Sequence, residues 1–178
     1  KVFVMTGKPN YPGGKVFSGY RAWGLVREAW AGVQLFRIPV YPRGKRSALG
    51  LSLNYLSFVA SVPLFGPWLL RRIKLDVIFV YATSPLLQVL PALFLGWVRR
   101  IPVVVYVQDL WPESLEATSY VKNKFVLRVI KLIVGFIYRN SSLILISSLP
   151  FKHSIQRFSP QADIVYYPNS VCFSFDEP

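Results

Sequence analysis

Residues 102–114 read PVVVYVQDLWPES, and this stretch decides the fold class. The apolar run before Gln108 predicts a fully buried strand, because a parallel strand covered on both faces has no reason to alternate polar with apolar residues. Pro112 then predicts the first turn of a helix. In open α/β sheets ligands bind at the carboxyl ends of the strands, so Gln108, Asp109 and Glu113 are the first candidates for chemistry.

These carboxylates also have a purely structural interpretation. Asp109 can be a helix cap, and Glu113 a first-turn carboxylate that favours the helix dipole. The chain, however, has only eight acidic residues against twenty-one basic ones, and three of the eight, Asp109, Glu113 and Glu116, lie in this short segment. Their concentration favours a functional site.

The composition of the chain sets limits on its function. The 178 residues suit one domain with a real core, and the hydrophobic share of 53% is high for an ordinary soluble domain. A net charge of +13 predicts attraction to phosphorylated ligands, nucleic acid or an anionic membrane surface. The single Cys172 and single His153 exclude a disulfide framework and argue against a protein-ligated metal. We interpret them as an unreactive thiol and a helix surface residue.

The first fifteen residues carry a second group of candidates. Residues 1–6 predict a short strand, and residues 7–15, GKPNYPGGK, form a long turn-rich loop after it. Its lysines Lys8 and Lys15 and its aromatic Tyr11 are candidates to meet a phosphate or a sugar, although a solvated surface loop is the alternative. Neither a P-loop nor a Gly-rich dinucleotide fingerprint is present.

Residues 47–70 contain no charge over twenty-four positions. That length suits a membrane-spanning helix, but Pro63, Gly66 and Pro67 are expected to interrupt its second half. We therefore favour a helix that packs on the sheet and leaves one apolar face for a membrane interface. An integral membrane protein with two or three spans is the alternative.

The remaining segments alternate between predicted strands and helices. Thr83, Ser84 and Pro85 are expected to cap and open a helix that ends at Arg100, dividing the uncharged run 77–98 into a strand and a helix. The other strands are predicted at residues 33–40, 76–82, 142–147 and 163–167, and the other helices at 122–139 and 149–158.

This alternation predicts a doubly wound α/β fold, with a mostly parallel sheet and helices on both faces. In the helix at 122–139, the spacing of Val126, Val129, Ile130, Ile133, Val134 and Ile137 predicts a core stripe. The carboxyl ends of parallel strands share one edge, so we expect Lys8, Tyr11, Thr83, Ser84 and Asp109 to line a common crevice.

Four motifs carry a resemblance to a known family. They are TGKPNYPGGKVFSGYR at 6–21, RSALGLSLNYLSF at 46–58, VQDLWPES at 107–114 and YPNSV at 167–171. Together they resemble the N-terminal domain of a family 4 glycosyltransferase, and they are most similar to bacterial enzymes of colanic acid, O-antigen and capsule assembly, such as fucosamine transferases.

The resemblance implies a GT-B fold of two Rossmann-like domains, in which the N-terminal one binds the acceptor and the C-terminal one binds a nucleotide-sugar. It also implies retention of anomeric configuration without a metal or cofactor. Asp109 matches the catalytic polar position that faces the reacting sugar, Gln108 stands where many relatives have histidine, and Asn169 marks the hinge to the second domain. The expected acceptor-binding residues are Lys8, Asn10, Tyr11, Lys15, Thr83, Ser84, Gln108 and Glu113.

We expect residues 1–170 to be a partial acceptor-binding domain that lacks its first strand, and residues 171–178 to begin the linker to a missing C-terminal donor domain. Such a fragment is expected to be inactive alone. Its expected partners are a nucleotide-sugar, a lipid-linked glycan acceptor and an anionic membrane, at the cytoplasmic, inner face of the plasma membrane. A nucleic-acid-binding module is an alternative supported by charge alone, so no nucleic acid partner is expected.

Overall fold

A computed structural model describes residues 1–44, 47–117 and 123–170. They form two compact units, the first made of Lys1–Ile78 and Leu87–Ile101, the second of Phe79–Leu86 and the described residues from Pro102 onward. The strands are β1 (Phe3–Gly7), β2 (Val26–Trp30), β3 (Val33–Ile38), β4 (Ile78–Ala82), β5 (Val103–Val107), β6 (Leu143–Ile146) and β7 (Ile164–Tyr166). The helices are α1 (Ala48–Leu70), α2 (Val89–Arg99), α3 (Glu113–Ala117), α4 (Lys124–Asn140) and α5 (Phe151–Phe158).

The first unit contains a three-stranded sheet in the order β1-β3-β2. β1 runs parallel to β3, whereas β2 runs antiparallel to it, with Glu28 opposite Leu35. Ala31 and Gly32 join β2 to β3 with φ angles of 47° and 79°, as a type I′ hairpin turn requires. The sequence predicted β1 and β3 but not β2. Most side chains of β2 are exposed or half-buried, so the strand lacks an apolar pattern.

α1 is continuous from Ala48 to Leu70, so the predicted interruption at Pro63 and Pro67 is wrong. Each proline removes one helix hydrogen bond, and a proline inside a helix costs about 3 kcal/mol. Burial of an apolar side chain contributes about 1.5–3 kcal/mol, so the core packing of this helix offsets the loss. That core unites β3, α1 and α2 through Phe36, Ile38, Val62, Leu69, Leu70 and Leu95.

Gly66 explains how α2 approaches α1 so closely. A Cβ at this position would lie 3.2 Å from Cδ1 of Leu95, closer than most such contacts. The expectation that α1 packs on the sheet is therefore confirmed within the first unit, since Val62 and Leu69 share a core cluster with Phe36 of β3.

By length and composition, α1 is the one helix in the described part of the chain that meets the criteria for a membrane span, over Leu49–Leu70. Core helices of soluble proteins meet the same criteria, so this finding alone does not favour a span. The second uncharged run, residues 77–98, divides into β4 and α2 as the sequence predicted.

β4, β5, β6 and β7 form a four-stranded, all-parallel sheet flanked by helices. Val105 of β5 pairs with Ile144 of β6, which in turn pairs with Ile164 of β7. Val105, Val107 and Ile144 are fully buried, which explains why residues 102–107 show no alternation of polar and apolar side chains. The predicted Rossmann-like α/β fold class is confirmed.

Two helices differ from their predicted details. α2 begins at Val89 after a short 3₁₀ turn, Leu86–Gln88, and Gln88 in the N-cap position makes no side-chain capping hydrogen bond, so the predicted cap at Thr83 and Ser84 is wrong. The hydroxyl of Ser84 instead accepts a hydrogen bond from Trp111.

In α4 the predicted core stripe holds only in the second half of the helix. Val134 and Ile137 are buried, whereas Val126 and Val129 are exposed by 40% and 38%. Asn123 caps the helix, because its Oδ1 accepts hydrogen bonds from the backbone N–H groups of Phe125 and Val126. Helical periodicity identifies an apolar face, but it does not say whether a neighbouring element covers that face.

Candidate functional site

The loop after β1 is held by two of its predicted site residues. Lys8 is only 2% exposed, and its Nζ donates to the carbonyl oxygens of Arg21 at 2.5 Å and Trp23 at 2.6 Å. Nδ2 of Asn10 donates to the carbonyl oxygen of Lys8 at 2.9 Å, and its Oδ1 accepts from the backbone N–H of Arg43 at 3.4 Å. Burial lowers the pKa of Lys8. Both side chains therefore fix the shape of the loop.

The other two candidates in this loop lie on its surface. Tyr11 is 69% exposed, with the guanidinium carbon of Arg43 5.3 Å from its ring centroid, and Lys15 is also exposed. Between them, Gly14 has a φ of 72°, and a Cβ there would lie 1.9 Å from the carbonyl oxygen of Gly44. Only glycine fits this close approach. The loop thus presents an aromatic ring and a basic side chain from a fixed backbone.

In the second unit, polar side chains gather where β5 ends. The backbone N–H of Gln108 donates to the carbonyl oxygen of Ala82, which links the ends of β5 and β4 at 3.0 Å. Oε1 of Gln108 accepts from Nδ2 of Asn169 at 2.9 Å, and Oδ1 of Asn169 accepts from the hydroxyl of Tyr106 at 2.7 Å. Asn169, expected as a hinge, is therefore a neighbour of Gln108.

Ser84 and Trp111 connect the residues that follow β4 and β5. Nε1 of Trp111 donates to Oγ of Ser84 at 2.9 Å, and the indole is almost fully buried. Thr83, which precedes Ser84, is exposed, and its backbone N–H donates to the carbonyl oxygen of Tyr81 at 3.2 Å. The structure thus brings Ser84 and the residues around Trp111 together within the second unit.

Asp109 and Glu113 lie half-buried, and their charges act on a side chain that was not predicted from the sequence, Tyr138 of α4. Burial is the main cause that raises the pKa of Tyr138, and the charges of Glu113 and Asp109 raise it further. The hydroxyl of Tyr138, Oε2 of Glu113 and Nε2 of Gln108 are buried, and none has a hydrogen-bond partner in the described residues. Tyr138 follows the buried Val134 by one helical turn. That spacing places both residues on the same face of α4, and it is the feature of the sequence from which the burial of Tyr138 could have been predicted.

Two other predictions concern metal and reactive groups. In residues 1–44, 47–117 and 123–170, no three His, Cys, Asp or Glu side chains cluster in a way that suits a metal ion. His153 is exposed on α5, with Nε2 3.2 Å from a guanidinium nitrogen of Arg157, so its interpretation as a helix surface residue is confirmed. Cys172, residues 171–178 and the side chain of Glu116 lie outside the described part of the structure.

The site residues therefore form two groups. Lys8, Asn10, Tyr11 and Lys15 belong to the first unit, and Thr83, Ser84, Gln108, Asp109, Glu113 and Asn169 belong to the second. The prediction that members of both groups share one crevice stays a prediction.

Comparison with known proteins identifies the family. Residues 2–170 match the model of the glycosyl transferase 4-like domain. No curated protein matches the chain. The family match covers nearly the whole chain and agrees with the all-parallel sheet and the polar groups at its carboxyl edge. The chain therefore belongs to the family of glycosyl transferase 4-like domains and is a glycosyltransferase domain.

Proposed function

We propose that this domain holds the acceptor while a sugar is transferred from a nucleotide-sugar to a lipid-linked or polysaccharide acceptor in cell-surface polysaccharide biosynthesis. Family membership supports glycosyl transfer, and the four motifs quoted above support the subfamily, retention of configuration and a reaction without a metal. The family match does not favour the integral membrane and nucleic-acid-binding alternatives.

The observation that carries the proposal is the position of Asp109 directly after β5, an inner strand of the parallel sheet. The carboxyl edge of such a sheet is where α/β folds bind ligands. A carboxylate there can orient an acceptor hydroxyl or stabilise the positive charge that develops on the transferred sugar. Gln108 beside it supplies an amide that can contact the same ligand.

A lipid-linked acceptor is supported by two exposed apolar surfaces, one in each unit. The α1 outer stripe consists of Leu49, Leu56, Leu64 and Trp68, and the α4 apolar stripe consists of Phe125, Val129, Leu132 and Phe136; all eight side chains are exposed. Contiguous exposed apolar surface of this kind is typical of interaction sites.

The charge of α4 supports a contact between its apolar stripe and an anionic membrane surface. Lys124, Arg128, Lys131 and Arg139 lie on the same helix, which carries no acidic residue. Each basic residue near anionic lipid contributes about 1 kcal/mol. We therefore place the domain at the inner face of the plasma membrane, as a peripheral, cytoplasmic protein.

Vesicle flotation of the full chain tests this proposal. Three vesicle types are compared: phosphatidylcholine alone, phosphatidylcholine with phosphatidylglycerol, and the latter doped with a polyprenyl-diphosphate-linked monosaccharide. We expect no flotation on the first, salt-sensitive flotation on the second and stronger flotation on the third. Equal binding to the second and third types would contradict acceptor binding, and no binding to either would contradict the membrane location.

A further inference from the structure

Arg43 lies between β3 and α1, and three side chains of the first unit hold its guanidinium. The guanidinium carbon lies 5.3 Å from the ring centroid of Tyr11 and 5.5 Å from that of Tyr55, both within the range of a cation–π interaction. Its Nε donates to Oδ1 of Asn54 at 3.4 Å. Asn54 is itself buried, and its Nδ2 donates to the carbonyl oxygen of Tyr41 at 2.6 Å. These contacts orient the guanidinium before any ligand binds.

The backbone around this side chain is fixed as well. The backbone N–H of Arg43 donates to Oδ1 of Asn10 at 3.4 Å, and that of Gly44 donates to the carbonyl oxygen of Gly14 at 2.9 Å. A Cβ at Gly50 would collide with the carbonyl oxygen of Arg43, so the backbone of Arg43 packs directly against the first turn of α1. The loop after β1 and the start of α1 therefore set the position of Arg43 together.

These contacts leave most of the hydrogen-bonding capacity of Arg43 unused. A guanidinium has five N–H donors, and only the one on Nε has a partner among the described residues. The two terminal nitrogens are not among the buried unpaired atoms, so solvent reaches them. Residues 1–75 contain a single acidic residue, Glu28, and it pairs with Arg37 at 2.8 Å. Arg43 thus presents an oriented fork of donors that forms no ion pair within the described part of the chain.

The chemistry of this fork favours a phosphate group on a lipid. Two parallel N–H groups of a guanidinium match two oxygens of a phosphate, and such charge-assisted bonds are stronger than neutral ones. Leu49, which precedes Gly50 in the first turn of α1, is 71% exposed and belongs to the α1 outer stripe. A basic side chain next to exposed apolar surface is typical of proteins that meet the phosphates of a membrane interface.

We propose that Arg43 binds the diphosphate of the lipid-linked acceptor through the two terminal nitrogens of its guanidinium, which Asn54 and two tyrosines hold in place. This inference rests on the proposed function for the identity of the ligand, because that function supplies a lipid-linked acceptor. It gives the first unit a binding role for the phosphates of the acceptor, and it gives Tyr11 the role of orienting Arg43.

Flotation on vesicles without sugar tests the phosphate site. The full chain is compared on phosphatidylcholine vesicles that contain polyprenyl diphosphate, uncharged polyprenol, or phosphatidylglycerol at the same total charge as the diphosphate. We expect the wild type to bind the diphosphate vesicles about tenfold or more tightly than the phosphatidylglycerol vesicles, and to gain nothing from polyprenol. Equal binding to the diphosphate and phosphatidylglycerol vesicles would mean that only surface charge is recognised, and would overturn the proposal.

Substitutions of Arg43 separate an oriented fork from a mere positive charge. Arg43→Gln should abolish the preference for diphosphate over phosphatidylglycerol, and Arg43→Lys, which keeps the charge without the planar fork, should not restore it. Arg71→Gln is the matched control, since Arg71 is exposed at the other end of α1 with its guanidinium carbon 4.7 Å from the ring centroid of Trp68. It should keep the full preference. A full preference in either Arg43 variant, or an equal loss in Arg71→Gln, would overturn the assignment.

A measurement on the wild-type chain does not depend on how the variants fold. Phenylglyoxal modifies accessible guanidinium groups, and mass spectrometry of the digested chain follows each arginine separately. Saturating inorganic pyrophosphate should slow the modification of Arg43 and leave that of Arg71 unchanged. No protection of Arg43, or equal protection of both arginines, would contradict a phosphate site at Arg43.

The two proposals fail in different ways. The vesicle comparison above contains no sugar, so a diphosphate preference that depends on Arg43 supports the phosphate site by itself. If an attached sugar then adds nothing to binding, the proposed function fails and the phosphate site stands. If an attached sugar strengthens binding, and Arg43→Gln still prefers diphosphate as the wild type does, only the phosphate site fails.

Discussion

The hydroxyl of Tyr106 donates a 2.7 Å hydrogen bond to Oδ1 of Asn169, which ties the buried strand β5 to the residues that follow β7. Through its Nδ2, Asn169 also donates to Oε1 of Gln108. The amide of Asn169 thereby positions Gln108 at the edge of the sheet. The resemblance assigned Asn169 to a hinge, whereas its contacts also give it a role within the second unit.

Asn169→Ala should lower the free energy of unfolding by about 0.5–1.5 kcal/mol, the usual net contribution of a hydrogen bond. The loss stays moderate because the carbonyl oxygen of Tyr167 remains within 2.9 Å of the Tyr106 hydroxyl. Urea denaturation measures it. In a double-mutant cycle with Tyr106→Phe the two changes should be coupled, and strictly additive effects would argue against the bond.

Lys8→Met should destabilise the chain by about 1–3 kcal/mol, because it leaves the carbonyl oxygens of Arg21 and Trp23 without their donor. Methionine retains most of the apolar stem of lysine, so the packing changes little. Lys15→Met is the matched control at an exposed position of the same loop and should change stability by less than about 0.5 kcal/mol. Equal effects of the two substitutions in thermal or urea unfolding would contradict the structural role of Lys8.

The pH dependence of the same variant gives a separate prediction. Burial holds the pKa of folded Lys8 below its usual value of 10.5, so between the two pKa values the unfolded chain binds more protons than the folded one. Stability then rises with pH across that window. A neutral amine still has two N–H donors for the two carbonyl oxygens. The stability difference between wild type and Lys8→Met should therefore grow as the pH rises toward 10.5. A difference that shrinks with pH would mean that the pKa of folded Lys8 lies above its usual value.

Leu132→Ser in the α4 apolar stripe should weaken binding to vesicles that contain phosphatidylglycerol by about tenfold, since burying a leucine side chain contributes about 1.5–3 kcal/mol. Leu132 is 65% exposed, so the substitution should not affect folding. Leu149→Ser, at a position 60% exposed outside the stripe, is the control and should bind like wild type. If both variants bind equally well, α4 is not the membrane contact.

The buried strands were predictable because burial on both faces leaves an unambiguous signal. Residues 102–107 carry no charged side chain, and in the structure Val105 and Val107 are fully buried. Polar groups at the end of such a run, above all Asp109, follow from the same argument. This part of the candidate site could be found from residue type and position alone.

Features that depend on distant partners could not be predicted. β2 exists because it pairs with β3, and an ion pair at 2.8 Å joins its Glu28 to Arg37 of β3. Tyr138 is linked to the candidate site only through the charges of Asp109 and Glu113, which precede it by more than twenty residues. The spacing of Tyr138 on the core stripe of α4 indicates that it is buried, but not which side chains it approaches.

The most direct test of the proposed function is the rate of sugar transfer by an Asp109→Asn variant of the enzyme that carries this domain, measured with a radiolabelled nucleotide-sugar and a lipid-linked acceptor. Asparagine preserves the size of the side chain and removes its charge. Loss of one well-placed electrostatic contact costs about a hundredfold in turnover, so we expect a decrease of that order with an unchanged urea midpoint. Transfer at the wild-type rate would contradict the assignment of Asp109 and of the sheet edge that presents it.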